Sequence, residues 1–178
     1  MAYSVGEILL SREQIAQRVR ELGDEVSAAY EGRNLVVVGI LKGAVVFLSD
    51  LVRTLRPQVE ASLDFMAVSS YGASTKTTGA VKILKDLDAD IRGKHVLVVE
   101  DIVDTGLTLS YLLKILEERE PESLAACALL DKPERRLAPV AVRFCGFSIP
   151  DEFVVGYGLD CGGRWRHLPD IHKVETTD

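Results

Sequence analysis

The chain has no apolar run of the roughly 18 residues that a membrane-spanning helix requires, so none is expected. Its first residues, MAYSVGEILLSREQ, lack the basic start of a secretory signal and carry an acid ahead of a very short apolar patch, which argues against export. Cysteine is scarce. Cys127, Cys145 and Cys161 are odd in number and unevenly spaced, which reads as reduced thiols in a cytoplasmic protein rather than a disulfide framework. Positive charge is also in deficit: 21 Lys and Arg against 27 Asp and Glu give a net charge of -6, which disfavours nonspecific nucleic-acid binding. What remains is 178 residues, 47% of them hydrophobic, enough for one well-packed domain and too few for two large ones.

The most informative stretch is VLVVEDIVDTGLTLSYLLKIL, Val96 to Leu116. Val96 to Val99 is a continuous apolar, β-branched run, the pattern of a buried parallel strand. Two acids, Glu100 and Asp101, close it; Asp104 and Thr105-Gly106-Leu107-Thr108 follow, and Leu109, Leu112, Leu113 and Leu116 then recur at helical spacing. A strand, tight loop and helix aim backbone N–H groups at one place, where Thr105, Thr108 and Ser110 would add hydroxyls, so the stretch predicts an anion site that suits a phosphate. Three carboxylates would repel a bare phosphate. Sugar hydroxyls, a divalent metal or a proton in transit would give them a purpose, whereas capping of the helix by Asp101 or Asp104 accounts for one acid only.

Elsewhere the pattern alternates strand and helix. Ser11-Arg12-Glu13-Gln14 has the spacing of a capping box, and Ile15, Val19, Leu22 and Val26 line one face of the helix it would open. Leu35 to Leu41 reads as a second buried strand, ending in Leu41-Lys42-Gly43 before a helix expected to turn Val45, Val46, Leu48 and Leu51 inward. Lysine and glycine at the carboxyl end of a strand suit an anion, yet a solvated lysine fits the residues equally well. Ala61 to Ser69 predicts a third strand and Val81 to Lys85 an exposed one; between them Ser70 to Gly79 is small and polar, a functional or an inert loop. Further strands are expected at Ser123 to Leu130, ending in Asp131-Lys132-Pro133, and at Val140 to Cys145. Locally, Lys132 reads as a pocket donor or a turn lysine, and Phe153, in Pro150-Asp151-Glu152-Phe153-Val154-Val155-Gly156, as core or as a ligand platform. His167 and His172 are isolated and do not suggest a metal pair.

Acid-acid after an apolar strand, two apolar residues, then Asp-Thr-Gly-x-Thr resembles the ribose-phosphate loop of the type I phosphoribosyltransferases. Glu100-Asp101 with Asp104 is similar to the purine-salvage branch, the hypoxanthine-guanine phosphoribosyltransferases. The likeness runs from about Leu35 to Leu168 in family order. It implies an α/β fold, a mostly parallel central sheet flanked by helices, as a single domain over residues 1–178 with a core at about 30–150 and a small hood from about 1–12 and 150–178. It also implies transfer of a 5-phosphoribosyl group from 5-phosphoribosyl 1-diphosphate to N9 of hypoxanthine or guanine, with magnesium as cofactor.

Residue by residue, the resemblance makes Asp104 the catalytic acid-base group and gives the ribose 5'-phosphate to Glu100, Asp101, Thr105, Gly106, Leu107 and Thr108. Pyrophosphate falls to Leu41, Lys42, Gly43 and Arg166, commonly with a cis peptide at the first of these; Ser70 and Tyr71 open a lid. Lys132, Phe153, Val154 and Val155 would hold the purine, Lys132 reading its O6. Glu100, Asp101 and Asp160 would face the metal. The family also implies a homodimer or homotetramer, small-molecule partners, and neither nucleic acid nor membrane. A xanthine-preferring enzyme differs only in the base pocket; a nucleotide-responsive regulator on the same fold should have a basic face and lack Lys132 and Phe153. The chain departs from the family pattern in Cys161-Gly162-Gly163, in Leu107 where some relatives have lysine, and at Pro169-Asp170-Ile171-His172, where the usual apolar strand is not expected.

Overall fold

The computed structural model describes residues 2–70 and 81–177, without the side chains of Ser70 and Thr177. Tyr71 lies outside the described residues. In chain order the elements are β1 (Ala2–Leu10), α1 (Arg12–Tyr30), β2 (Asn34–Leu41), α2 (Val45–Val52), β3 (Glu60–Ser70), β4 (Val81–Lys85), β5 (His95–Val103), α3 (Leu107–Glu117), β6 (Ser123–Asp131), β7 (Phe144–Ser148), β8 (Val154–Val155) and β9 (Ile171–Thr177), with one 3-10 turn at Pro133–Arg135.

Six strands form a sheet in the order β4-β3-β2-β5-β6-β7, parallel throughout except for the edge pair β3/β4. Both faces are covered, which is why its central strands read as unbroken apolar runs. Alternate residues feed opposite cores: Leu35, Val37, Leu97 and Val99 pack with α1 and α2, while Val36, Val38, Val96 and Val98 pack with Leu109, Leu112 and Leu116 of α3. Helix α1 begins at the predicted capping box, with Ser11 Oγ accepting from Gln14 N at 3.3 Å and Gln14 Oε1 accepting from Ser11 N at 2.9 Å.

Three local expectations change. Helix α2 buries Phe47, Leu48 and Leu51, whereas Val45, nearly opposite Phe47 on the helix, is exposed. The strand expected over Val140 to Cys145 lies at Phe144–Ser148; Val140 and Val142 instead pack as irregular chain against the α3 core. The C-terminus, expected to lack a strand, forms β9, the centre of a three-stranded antiparallel sheet ordered β1-β9-β8. That small sheet stands over the carboxyl end of β6, held there by the chain from Ile149, whose N–H donates to Asp131 O at 2.9 Å.

Candidate active site

Strands β2, β5 and β6 are parallel neighbours, so the loops that follow them open on one edge of the sheet, where open α/β sheets bind ligands. The loop after β2 contains a cis peptide between Leu41 and Lys42. Lys42 is exposed, and Gly43 lies with its backbone against the carboxylate of Asp101. The carbonyl of Gly43 in turn touches Gly158, whose φ of +100 admits the close approach of the two chains.

The loop after β5 turns at Gly106, in the left-handed conformation with φ 79, and α3 starts directly after it. Among the described residues neither Asp101 nor Asp104 takes up the capping role open to it; only Thr105 Oγ1 accepts from an amide of the first turn, Leu107 N at 3.4 Å. The carbonyls of this loop are drawn away toward the chain after β6: Leu137 N and Ala138 N both donate to Thr105 O, at 2.9 and 3.2 Å, and Arg136 Nη1 donates to Asp104 O at 3.2 Å. The amides at the start of the helix are left on the other side, lining a cavity of about 100 Å³ with Glu100, Asp104, Thr105, Gly106, Thr108 and Leu109. Orphan amides at a helix N-terminus suit an anion. Leu107, lysine in some family members, is half-buried here and outside the lining. Ser110, expected to add a hydroxyl, faces a separate groove with Leu113, Lys114 and Pro139.

The acids differ in environment. Glu100 is buried, and desolvation, reinforced by neighbouring Asp101, pushes its carboxyl well above the usual range. Burial likewise raises Asp101 to about 6, against the pull of the Ile102 N–H and the more distant Arg166 charge. Neither carboxylate has a cationic side chain in salt-bridge contact among the described residues. Asp104 does: its Oδ1 accepts from Arg135 Nε at 3.0 Å.

Lys132 directly follows β6 and is buried, its Nζ 3.6 Å from Oδ1 of Asp151. Phe153 is half-exposed and meets the ring of Tyr3 edge-on, with centroids 6.2 Å apart. Val154 and Val155 are buried on β8, an edge strand whose outer backbone groups have no strand partner among the described residues. Asp160 and Arg166 engage each other, Nη2 to Oδ1 at 2.6 Å, while Asp160 Oδ2 accepts from Gly163 N at 2.6 Å and Arg166 Nη1 donates to Gly158 O at 2.7 Å. The Gly162-Gly163 turn therefore fixes Asp160, and through it Arg166.

The loops thus gather Gly43, Asp101, Gly158, Asp160 and Arg166 on one side and Asp104, Lys132 and Asp151 on the other. No group of three or more acids, histidines and cysteines is arranged to enclose a metal among the described residues. Sequence reasoning overlooked Arg135, Arg136, Asp151 and Tyr3. The two arginines had a faint signal in the charged turn that follows Lys132-Pro133, whereas Tyr3 had none, because its contact depends on how the two termini pair.

Residues 5–161 match the model of the phosphoribosyl transferase domain. The chain belongs to that family. Among relatives of this phosphoribosyltransferase, the hypoxanthine phosphoribosyltransferase of Escherichia coli (strain K12) is 54% identical over 174 residues, covering 97% of each chain. The hypoxanthine-guanine phosphoribosyltransferase of Mycobacterium avium is 51% identical over 177 residues, covering 96% of this chain and 86% of that one. The crystal structure of a hypoxanthine-guanine phosphoribosyltransferase from Bacillus anthracis str. 'Ames Ancestor' superposes with a TM-score of 0.91 at 44% identity, over 98% of this chain and 100% of the other.

Proposed function

We propose that the protein transfers the 5-phosphoribosyl group of 5-phosphoribosyl 1-diphosphate to N9 of hypoxanthine or guanine, forming IMP or GMP and pyrophosphate. One arrangement carries the reading within this family: Asp104 lines the cavity at the start of α3, and Arg135 and Asp151 link it to the buried ammonium of Lys132. A sugar phosphate seated in the first places its C1' toward a purine that Lys132 holds by O6. Lysine only donates, so it suits the 6-oxo group and offers nothing to the amino group of adenine.

In this reaction the bond from C1' to the pyrophosphate oxygen breaks and the bond from N9 to C1' forms. Amides at the start of α3, with Thr105 and Thr108, hold the 5'-phosphate and so align C1' with N9. Lys42, the Gly43 backbone and Arg166 receive the departing pyrophosphate. Oδ2 of Asp104, the oxygen not engaged by Arg135, accepts the N7 proton of the purine as positive charge builds on the ring. Phe153 stacks on the base, and the outer backbone of Val154 and Val155 meets its far edge.

Glu100 is buried and Asp101 partly buried, and neither carboxylate has a cationic side-chain partner among the described residues, a setting that fits a cation arriving with the substrate. Magnesium suits them: it binds through one or two carboxylates and completes its shell from substrate phosphates and water, so no protein cage is needed. When bound it would neutralise charge on the leaving pyrophosphate. Asp160, held by Arg166 and the Gly163 amide, would have to exchange these partners to contribute.

The test is incubation with 5-phosphoribosyl 1-diphosphate, magnesium and, separately, hypoxanthine, guanine, xanthine and adenine, followed by separation of the nucleotides. IMP or GMP is expected. Product from xanthine alone would place the enzyme in the sister specificity, and no product from any 6-oxopurine would refute the assignment.

A further inference from the structure

We propose that Arg135 is a positioning residue of the purine site, tying the carboxylate that meets N7 to the ammonium that meets O6; this rests on the function proposed above. Four side chains alternate in charge along one line. Asp104 Oδ1 lies 3.0 Å from Arg135 Nε, Arg135 Nη1 lies 3.5 Å from Asp151 Oδ2, and Asp151 Oδ1 lies 3.6 Å from Lys132 Nζ.

The local fold explains the line. Lys132 precedes the 3-10 turn Pro133–Arg135, which folds Arg135 back beside it, and both cations reach Asp151. Arg135 N donates to Lys132 O at 3.1 Å, which keeps the turn closed. Asp151, carried in from the start of the small sheet's approach, lies between the two cations. The line is electrically balanced, so a neutral purine can settle against it without leaving a charge unmatched.

The consequence is geometric. O6 and N7 project from the same edge of a 6-oxopurine, and a site reading both needs its two groups at a fixed separation. Asp104 keeps one oxygen for the base because the other is held by Arg135. Lys132 keeps its donors for O6 because Asp151 stands at ion-pair rather than hydrogen-bond distance. Arg135 itself is about half exposed, 47%, and its pairs contribute little to folding stability. A role in placing the base and a role in holding the fold therefore give different signatures.

The experiment compares wild type, Arg135→Ala and Arg135→Lys in kcat and KM for hypoxanthine, KM for 5-phosphoribosyl 1-diphosphate, thermal midpoint, and Ki for 7-deazahypoxanthine, which keeps O6 but has carbon in place of N7. Arg135→Ala is expected to raise the hypoxanthine KM about tenfold, a typical coupling for residues in one charged network. The donor KM and the thermal midpoint should stay near wild type, the Ki for the deaza base should rise by about threefold or less, and Arg135→Lys should recover part of the loss. An unchanged hypoxanthine KM, an equal penalty on both bases, or a parallel rise in the donor KM overturns the proposal. A wild-type protein that makes no nucleotide from any 6-oxopurine refutes the parent reading instead, which separates the two failures.

Discussion

Gly43 and Asp101 are packed so closely that a Cβ added to the glycine would overlap Oδ2 of the carboxylate. The loop after β2 and Asp101 of β5 thus share one space, and Gly158 pressing on the Gly43 carbonyl leaves the loop no room to retreat. Gly43→Ala should therefore displace Asp101 or distort the loop. Donor affinity is expected to fall by at least about tenfold, with a loss of about 1–3 kcal/mol in stability from overpacking. Isothermal titration with 5-phosphoribosyl 1-diphosphate and magnesium, alongside urea unfolding, measures both; wild-type donor affinity would show that the contact does not matter to the site.

Burial raises Glu100 and Asp101 of β5, and the sign of the pH effect follows. Asp101 titrates at 3.8 when unperturbed and at about 6 in the fold, so between those values the native state holds more protons than the unfolded chain. Stability from this group is full below about pH 4 and is lost as pH rises through about 6, by at most about 3 kcal/mol before solvent screening reduces it. Glu100, also raised, adds to the same trend. Carboxyls that are lowered, such as Asp86 beside Arg119 and Asp170 beside Arg12, act in the opposite sense at more acidic pH. Urea unfolding of the ligand-free protein between pH 4 and 7 should show stability falling with pH, and Asp101→Asn should flatten that slope. An unchanged slope in the variant would mean that Asp101 ionises as freely in the fold as in the open chain.

The sequence made the fold legible wherever burial leaves a period. Val96 to Val99 and Leu35 to Leu41 read as strands because both of their faces are covered, and Ile15, Val19, Leu22 and Val26 as a helix because only one is. The stretch from Glu100 to Thr108 was legible because acids, hydroxyl and glycine in that order have few other uses. Strand β9 was not, since Ile171–Thr177 is polar and its pairing with β1 joins the two ends of the chain. Nor was the partner of Asp104: nothing in the spacing distinguishes Arg135 from Arg136, yet one holds the acid's carboxylate and the other pairs with Asp131. Contacts among three separate loops, as between Asp104, Arg135 and Asp151, are set by tertiary placement that no local period records.

Metal removal should separate catalysis from folding. Among the described residues Glu100 and Asp101 form no closed metal cage, so a chelator is expected to abolish nucleotide formation and leave the thermal midpoint of the ligand-free protein within about 1 °C. Scanning calorimetry with and without EDTA checks this. A clear drop in the midpoint would point to a structural metal instead.

Lys132→Ala removes a buried ammonium and leaves the Asp151 carboxylate with Arg135 alone. Purine affinity should fall by about tenfold or more, in line with loss of a charge-assisted hydrogen bond, while donor affinity changes little. Adenine should remain a poor acceptor, because removing a donor creates no acceptor for its amino group. Separate measurement of purine and donor binding decides the matter, and a loss confined to the donor would move Lys132 to the phosphoribosyl side.

Asp104→Asn tests the chemistry itself. The amide retains nearly the same size and can still accept from Arg135, so the loop and its cavity should persist and donor binding should stay within about twofold of wild type. What it loses is the negative charge that, in the proposed reaction, steadies the proton at N7 as the N9 bond forms. That charge matters more in the transition state than in the ground state, so the expected effect is a fall of about 100-fold or more in kcat. Pre-steady-state turnover measured beside donor titration distinguishes the cases: parallel losses in kcat and donor affinity would assign Asp104 to the phosphate loop's architecture, and the proton would then need another carrier.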